Sequence, residues 1–226
     1  MDIPLFPLHA VLCPGVVLPL HVFETRYRTL VERCLEDGSG FGVVRIREGR
    51  EVGDGPVALE QVGTIARLRD VTRLTDGRFE LTVVGVERFR LASVATDRAP
   101  YLVADGVLLG EPLGDPARIP GLVAAVMRRL GRYLAAVAPA TVPSDDPSYD
   151  EISGGLAAIE DPAALSHLVA GMLPMEPAVR QRLLEAPTAE ARLADLERVL
   201  SHETGLLERR LAAWPGDPRG SAGRNN

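Results

Sequence analysis

Few residues in this sequence have the types and spacing that acid–base or nucleophilic chemistry requires. His21 and Glu24 lie close together and could exchange a proton. Ser153, Asp161 and His167 supply the side-chain types of a hydrolase triad, but no GxSxG turn surrounds the serine to expose its hydroxyl. Neither set forms a catalytic motif, and the sequence therefore predicts a protein that is not an enzyme.

The cysteines and histidines also lack the spacing of a metal site. Cys13 and Cys34 form no CxxC pair, and the four histidines show neither HExxH nor HxH spacing. We therefore expect no bound metal, no disulfide framework and no cofactor.

The sequence contains no lysine, so all 25 of its Lys and Arg residues are arginines. A guanidinium group stays protonated near neutral pH and serves neither as a nucleophile nor as a general base. Schiff-base chemistry, a P-loop lysine and a Ser–Lys dyad are therefore excluded for these 226 residues.

The charge and hydropathy patterns indicate a soluble protein without a membrane segment. The net charge is −6, and 46% of the residues are hydrophobic. The longest uncharged apolar run, near residues 10 to 23, is short and is interrupted by prolines. The N-terminus carries Asp2 and no basic residue, which argues against a secretory signal, and we expect a cytoplasmic protein.

Residues 1 to about 112 are β-rich. Asp76-Gly77 predicts a hairpin turn, and the alternation of residues 79–91 blurs near Gly85, as at a bulge. One helix interrupts the strands, because apolar residues recur at helical spacing from Phe23 to Leu35. The segments richest in strand-forming residues are "FGVVRIR" (41–47), "VGTIARLRDVTRL" (62–74), "RFELTVVGVERFRL" (78–91) and "YLVADGVLL" (101–109).

From residue 113 onward the hydrophobic period becomes helical. Apolar stripes predict helices across 119–137, 162–173, 176–186 and 193–211. The segment 138–155 is predicted as a surface loop, and the tail 215–226 as disordered. The predicted fold is α+β, with a β lobe at 1–112 that includes one inserted helix and a helical lobe at 113–214.

Several segments in order resemble the Lon protease N-terminal domain, in a stand-alone form. The opening "IPLFPLHAVLCPGVVLPLHVFETRYRTLV" carries the strongest likeness, and "VGTIARL", "DGRFELTVVGVERFRL" and "RQRLLEAPTAEARLADLERVL" extend it over about residues 2–210. The resemblance implies a β-pseudobarrel related to PUA-like domains, followed by a helical bundle. In full-length Lon this domain helps to recognise substrates and to assemble the oligomer.

The resemblance therefore implies recognition without proteolysis. No GxxxxGK[ST] loop occurs in this sequence, and a Ser–Lys dyad is impossible without lysine. The partners that it implies are protein or unfolded polypeptide segments, together with a protease or a chaperone. A homo-oligomer is also compatible with the exposed leucines of the helical stripes.

The predicted binding surface lies near Pro4–Leu8, Leu18–Glu24 and Phe89, and the stretch "PGVVLPLHVFETRY" (14–27) forms its entry wall. Pro19 cannot donate a hydrogen bond to a sheet ladder, which favours an edge strand to which an extended peptide could add. Nearby aromatic rings could form a groove, although the same rings could instead be core residues. The predicted peptide-binding residues are Phe6, Leu18, Leu20, Phe23, Glu24, Tyr27 and Phe89.

RNA binding by a PUA-like barrel is the alternative function. Arg67, Arg69 and Arg73 lie on one predicted strand, and residues 45–50 add three more arginines. Phosphate binding depends on accumulated positive charge, but residues 1–115 contain more acidic side chains than arginines. No aromatic-rich RNA-binding motif accompanies the arginines, so nucleic acid is the less favoured partner.

Overall fold

The computed structural model describes residues 1–51, 58–137 and 154–213, with side chains as far as Arg210. Several sequence predictions lie outside these ranges. They are the turn at 51–56 apart from its first residue, nearly all of the loop at 138–155, Ser153 of the candidate triad, and the tail 215–226.

The chain forms two compact units. The first comprises Met1–Pro112 and Ala163–Thr188, and the second comprises Leu113–Pro162 and Ala189–Asn226. Each unit is thus built from two separate stretches of the chain. The predicted lobes at 1–112 and 113–214 divide the chain contiguously, and that division stays a prediction.

Strands dominate the first unit, as predicted from its β-branched and aromatic residues. Among the described residues they form one seven-stranded sheet: β1 (Asp2–Leu8), β2 (Val17–Val22), β3 (Phe41–Glu48), β4 (Ala58–Leu59), β5 (Val62–Arg73), β6 (Phe79–Ala95) and β7 (Val103–Leu108). The β5–β6 hairpin turns at Asp76-Gly77, where Gly77 has φ 82°. Few residues other than glycine tolerate this left-handed backbone conformation.

The strand pairings close on themselves. β1 pairs in parallel with β3 and antiparallel with β7, and the path β7–β6–β5–β3 completes the ring. β2 stands outside the ring, paired with the first half of β6. β2 is thus an edge strand as far as the described residues show, in agreement with the position of Pro19.

β6 changes register at the predicted irregularity. Its pairing with β5 shifts between Thr64 and Ala66, which face Arg88 and Gly85. A Cβ atom on Gly85 would lie 2.4 Å from the carbonyl oxygen of Cys13, so only glycine fits this close backbone approach. Beyond the shift the side chains of β6 face a different core.

Two hydrophobic clusters lie among the described strands and helix α1 of the first unit. The larger gathers the inward residues of β2, β5 and the first half of β6 around helix α1 (Thr25–Asp37), including Phe6, Tyr27 and Phe79. The smaller contains Ile3, Leu5, Val44, Phe89 and Ala104. The two faces of β1 thus supply both clusters, because successive strand residues point to opposite faces.

Two helices, α4 (Pro162–Met172) and α5 (Pro177–Glu185), lie largely or wholly within the first unit. Arg88 is 2% exposed, and its guanidinium donates to the carbonyl oxygens of Leu184, Ala186 and Gly110. Gln181 donates its side-chain amide to the carbonyl oxygen of Val62 at 3.0 Å. These long-range hydrogen bonds hold the residues at and after α5 to the sheet.

The second unit contains α2 (Ile119–Val137), a helical turn α3 at 154–157 and α6 (Ala189–Ala213). Helices α2 and α6 pack together, and Arg129 on α2 pairs with Glu197 on α6 at 3.0 Å. The predicted helices at 119–137 and 193–211 are confirmed by these elements. No described helix has the length and apolar character that crossing a membrane would need.

Candidate functional site

A groove of about 410 Å³, open solvent included, lies where β1 and β2 meet the start of α1. The side chains of β2 alternate between the two faces of the strand, and this alternation forms one wall of the groove. Leu20 and Val22 face inward, while His21 points outward. The chain then turns at Phe23 and Glu24 into α1. The groove is lined by Phe6, Pro7, Leu8, Leu20, His21, Val22, Phe23, Glu24, Tyr27 and Glu51.

Aromatic rings form the base and the rim of the groove. Phe6 stacks on Tyr27 with ring centroids 4.3 Å apart, and both side chains are buried. Phe23 is 49% exposed and lies 6.1 Å from the ring of His21, between centroids. A half-exposed phenylalanine beside a concave surface is apolar area that a partner could cover.

Carboxylates surround the hydroxyl of Tyr27. Glu24 pairs with Arg26 at 3.0 Å, and the Arg26 guanidinium carbon lies 4.6 Å from the centroid of the Tyr27 ring. Burial raises the pKa of Tyr27 from 10.0 to about 12; the nearby Arg26 opposes this shift, and Glu24 and Glu51 add to it. Both carboxylates therefore act electrostatically on the same point of the groove.

A second hollow extends across the paired strands β2, β6 and β5 and shares Leu20 and His21 with the groove. It is lined by Pro19, Leu20, His21, Asp70, Thr72, Glu80, Leu81 and Thr82. Val17, Pro19 and His21 of β2 are exposed, whereas Leu18 and Leu20 pack against the larger cluster. The strand β2 thus contributes to two concave surfaces.

Five of the seven predicted peptide-binding residues line the groove: Phe6, Leu20, Phe23, Glu24 and Tyr27. Leu18 is half-buried against the larger cluster and does not line it. Phe89 is fully buried in the smaller cluster, away from the ring of Phe6, so the structure does not bring it to this surface. We leave Phe89 out of the candidate site.

Glu51 is the lining residue that was missed in the sequence. It follows β3, far from residues 14–27 in the chain, and accepts a hydrogen bond from the backbone N–H of His9. No local pattern places a residue after β3 beside the start of α1; only the parallel pairing of β1 with β3 does so.

His21 and Glu24 both line the groove, but each contacts a different charged residue. His21 lies 3.3 Å from Nη1 of Arg78 and 4.0 Å from a carboxylate oxygen of Glu80, whereas Glu24 pairs with Arg26. His167 is buried, with its Nε2 atom 3.1 Å from Oε1 of Glu111. In the described part of the chain, no three His, Cys, Asp or Glu side chains are grouped so that they could hold a metal ion.

Four of the six arginines that suggested RNA binding lie beside carboxylates. Such pairing offsets the positive charge that a phosphate backbone requires. The contacts are Arg45 with Glu60 at 2.8 Å, Arg47 with Glu48 at 3.9 Å, Arg69 with Asp70 at 3.8 Å and Arg73 with Glu32 at 3.0 Å.

Comparison with known families gives one match across almost the whole chain. Residues 2–202 match the family described as the ATP-dependent protease La (LON) substrate-binding domain. This range includes every residue that lines the groove and the second hollow.

Curated relatives are full Lon proteases. Lon protease 2 of Herpetosiphon aurantiacus is 30% identical over 92% of this chain, and the Lon protease of Escherichia coli K12 is 26% identical over 92%. Lon protease 2 of Myxococcus xanthus is 34% identical over 45%. The matched regions span 24%, 26% and 12% of these relatives' lengths.

Two solved structures resemble the chain along most of its length. A Lon N-terminal domain protein from Xanthomonas campestris superposes with a TM-score of 0.58 at 27% identity, covering 95% of this chain and 99% of that one. The N-terminal domain of a Mycobacterium avium complex Lon protease gives a TM-score of 0.67 at 22% identity, covering 91% and 98%. The second likeness bears on the fold alone.

Proposed function

The chain belongs to the substrate-binding domain family of ATP-dependent protease La (Lon), and on that premise we propose that it recognises extended or unfolded segments of other proteins without catalysing a reaction itself. The bound segment lies in the groove between β2 and the start of α1. The closed ring of strand pairings supports a PUA-like pseudobarrel, the architecture that the resemblance implies.

The exposed ring of Phe23 is the observation that carries this proposal. A phenylalanine that stays 49% exposed at the rim of a groove loses water contact when a partner covers it. Burying such a ring contributes on the order of 1–2 kcal/mol of favourable transfer free energy. Aromatic residues at the centre of a contact are also the usual hot spots of protein interfaces.

The free edge of β2 supports the same reading. β2 pairs with β6 on one side, and the described residues place no strand on the other. Its other edge therefore offers backbone N–H and C=O groups, apart from the N–H that Pro19 lacks, to an added strand. Backbone pairing would supply sequence-independent affinity, and the groove would select side chains.

A chain of this kind has partners of two sorts. The first is the bound polypeptide segment, and the second is a protease or chaperone that receives it. A homo-oligomer would present several grooves at once, and binding to several sites of one client would then strengthen the complex. We propose that the module acts in the cytoplasm.

The test uses a labelled, permanently unfolded protein, reduced and carboxymethylated α-lactalbumin, and measures binding by fluorescence anisotropy. Phe23→Ala weakens binding about tenfold if the ring is covered in the complex. Leu35→Ala is the matched control, because Leu35 is also 49% exposed but lies toward the far end of α1 and does not line the groove. Equal affinities for both variants and the unaltered protein would overturn the groove as the binding site.

A further inference from the structure

The ionised side chains that line the two hollows beside β2 are all carboxylates in the part of the chain that the structure describes. Glu24 and Glu51 line the groove, and Asp70 and Glu80 line the second hollow. His21 belongs to both linings and carries charge only when protonated.

Arginines that contact these residues offset only part of the charge. Arg26 pairs with Glu24, Arg69 lies 3.8 Å from Asp70, and Arg78 contacts both His21 and Asp76. With Asp76 included, together with Arg28, which donates to the carbonyl oxygen of Asp76, the surface around β2 carries five carboxylates and four guanidinium groups. It keeps a negative balance next to the exposed ring of Phe23.

A carboxylate can accept from more than one donor at a time. An ionised carboxylate has about four acceptor positions on its two oxygens. Glu51 accepts a hydrogen bond from the backbone N–H of His9, which takes one such position. A guanidinium or ammonium group that entered the groove would be attracted by the negative charge of its lining and could form a charge-assisted hydrogen bond there.

We propose that the groove prefers polypeptide segments in which an aromatic or large aliphatic residue is flanked by arginine or lysine. The apolar side chain covers Phe23, and the basic side chain reaches Glu24 or Glu51. The same segment with acidic flanks binds more weakly, because it places like charges together. This inference rests on the proposed function and specifies the class of segment that the groove takes.

The expected preference is modest, because the carboxylates are partly exposed. A single solvent-exposed ion pair changes affinity by about a factor of 1.4 to 5. With one or two such pairs, basic flanks should improve affinity about fivefold over acidic flanks. The preference should shrink as salt rises, since the screening length falls from about 10 Å at 0.1 M to about 3 Å at 1 M.

The experiment uses short fluorescein-labelled peptides with one Phe-Leu-Phe core and arginine, serine or glutamate flanks, measured by anisotropy at low and high salt. An arginine peptide without the aromatic core is included as a probe of simple charge attraction. The expected order of affinity is arginine, then serine, then glutamate flanks, and the coreless peptide binds at least tenfold more weakly than the arginine-flanked one.

Single glutamine substitutions test which carboxylates produce the preference for basic flanks. Glu51→Gln and Glu24→Gln should each reduce the ratio of arginine-flank to glutamate-flank affinity at least twofold. Glu36→Gln is the matched control, because it removes one exposed carboxylate near the other end of α1 and changes the net charge of −6 equally. Thermal unfolding of each variant checks that the fold is kept.

The outcomes separate this inference from the proposed function. Equal binding of basic and acidic peptides would overturn the charge preference and leave polypeptide recognition standing. A preference that Glu36→Gln reduces as much as Glu24→Gln and Glu51→Gln do, or equally tight binding of the coreless peptide, would also overturn it. If no peptide with the aromatic core binds at either salt concentration, the proposed function itself fails.

Discussion

Arg88 is the residue whose surroundings best show how burial and hydrogen bonding work together in this protein. Its guanidinium is enclosed in the first unit, with three backbone carbonyl oxygens and the carboxylate of Glu111 as acceptors. A buried charge is tolerated only when its donors are paired in this way. The pairing joins β6 to backbone groups that lie 96 and 98 residues further along the chain.

Replacing Arg88 should therefore destabilise the protein far more than replacing an exposed arginine. Arg88→Met keeps the length of the side chain but leaves Glu111 and the carbonyl oxygens without this donor, at a cost of about 3–5 kcal/mol. Arg90→Met is the control, because Arg90 is exposed on the same strand and should change stability by less than about 0.5 kcal/mol. Urea unfolding gives both values, and equal losses would contradict the role of Arg88.

Tyr27 should make stability depend on pH in the alkaline range. Its pKa is about 12 in the folded protein, against 10.0 for an ordinary tyrosine, and burial is the main cause. Because the folded-state pKa is the higher one, the contribution is fully present below pH 10 and is lost as the pH rises toward 12. The loss amounts to at most about 3 kcal/mol.

Urea unfolding of the unaltered protein and of Tyr27→Phe, measured between pH 9 and pH 11, tests this dependence. The unaltered protein should lose stability more steeply with rising pH than Tyr27→Phe, which cannot ionise at this position. Identical slopes would show that Tyr27 ionises as readily in the folded chain as in the unfolded one.

At the scale of elements, the sequence predicts types of structure better than contacts. The helical spacing from Phe23 to Leu35 and the stripe at 119–137 correspond to α1 and α2, and the Asp76-Gly77 signal corresponds to the β5–β6 turn. These are local signals, since hydrophobic period and turn chemistry depend on neighbouring residues. For that reason these elements can be predicted from the sequence without knowledge of the fold.

The position of Phe89 could not be predicted from local sequence signals. The alternation of β6 indicated an irregularity at Gly85, but not which core the residues beyond it would face. A strand that slips by one residue exchanges its two faces, so Phe79 enters the larger cluster and Phe89 the smaller. The same limit applies to 163–188, whose helical period does not reveal that it joins the unit formed by the strands.

Gly63 on β5 lies close both to the backbone of β3 and to the smaller cluster, so a larger residue at this position should destabilise the fold. A Cβ atom there would lie 2.4 Å from the carbonyl oxygen of Val43 and 2.7 Å from the ring of Phe89. Gly63→Ala should therefore cost about 1–3 kcal/mol, because backbone cannot move aside as a side chain can.

Gly110→Ala is the matched control for this substitution. Gly110 also belongs to the first unit, and a Cβ atom there would meet no atom within 4 Å. Its thermal midpoint should stay close to that of the unaltered protein. A midpoint for Gly63→Ala as high as that of the control would contradict the close approach of β3, β5 and Phe89.

At the scale of the whole molecule, we propose a protein that binds rather than reacts. Its 226 residues contain no lysine, which excludes chemistry that needs a titratable amine side chain. Four of the five arginines of β3 and β5 lie beside carboxylates, which weighs against nucleic acid. Membership of the Lon substrate-binding family supports the proposal that the partner of this surface is a protein.

Hydrogen–deuterium exchange of the protein with and without a saturating arginine-flanked Phe-Leu-Phe peptide tests whether a bound segment covers β2 and the groove. We expect slower exchange of the backbone amides in β2 and at the start of α1, where strand addition and groove contact coincide, and little change in α2 and α6. Protection confined to other elements, with the residues of 17–28 unchanged at full occupancy, would contradict this expectation.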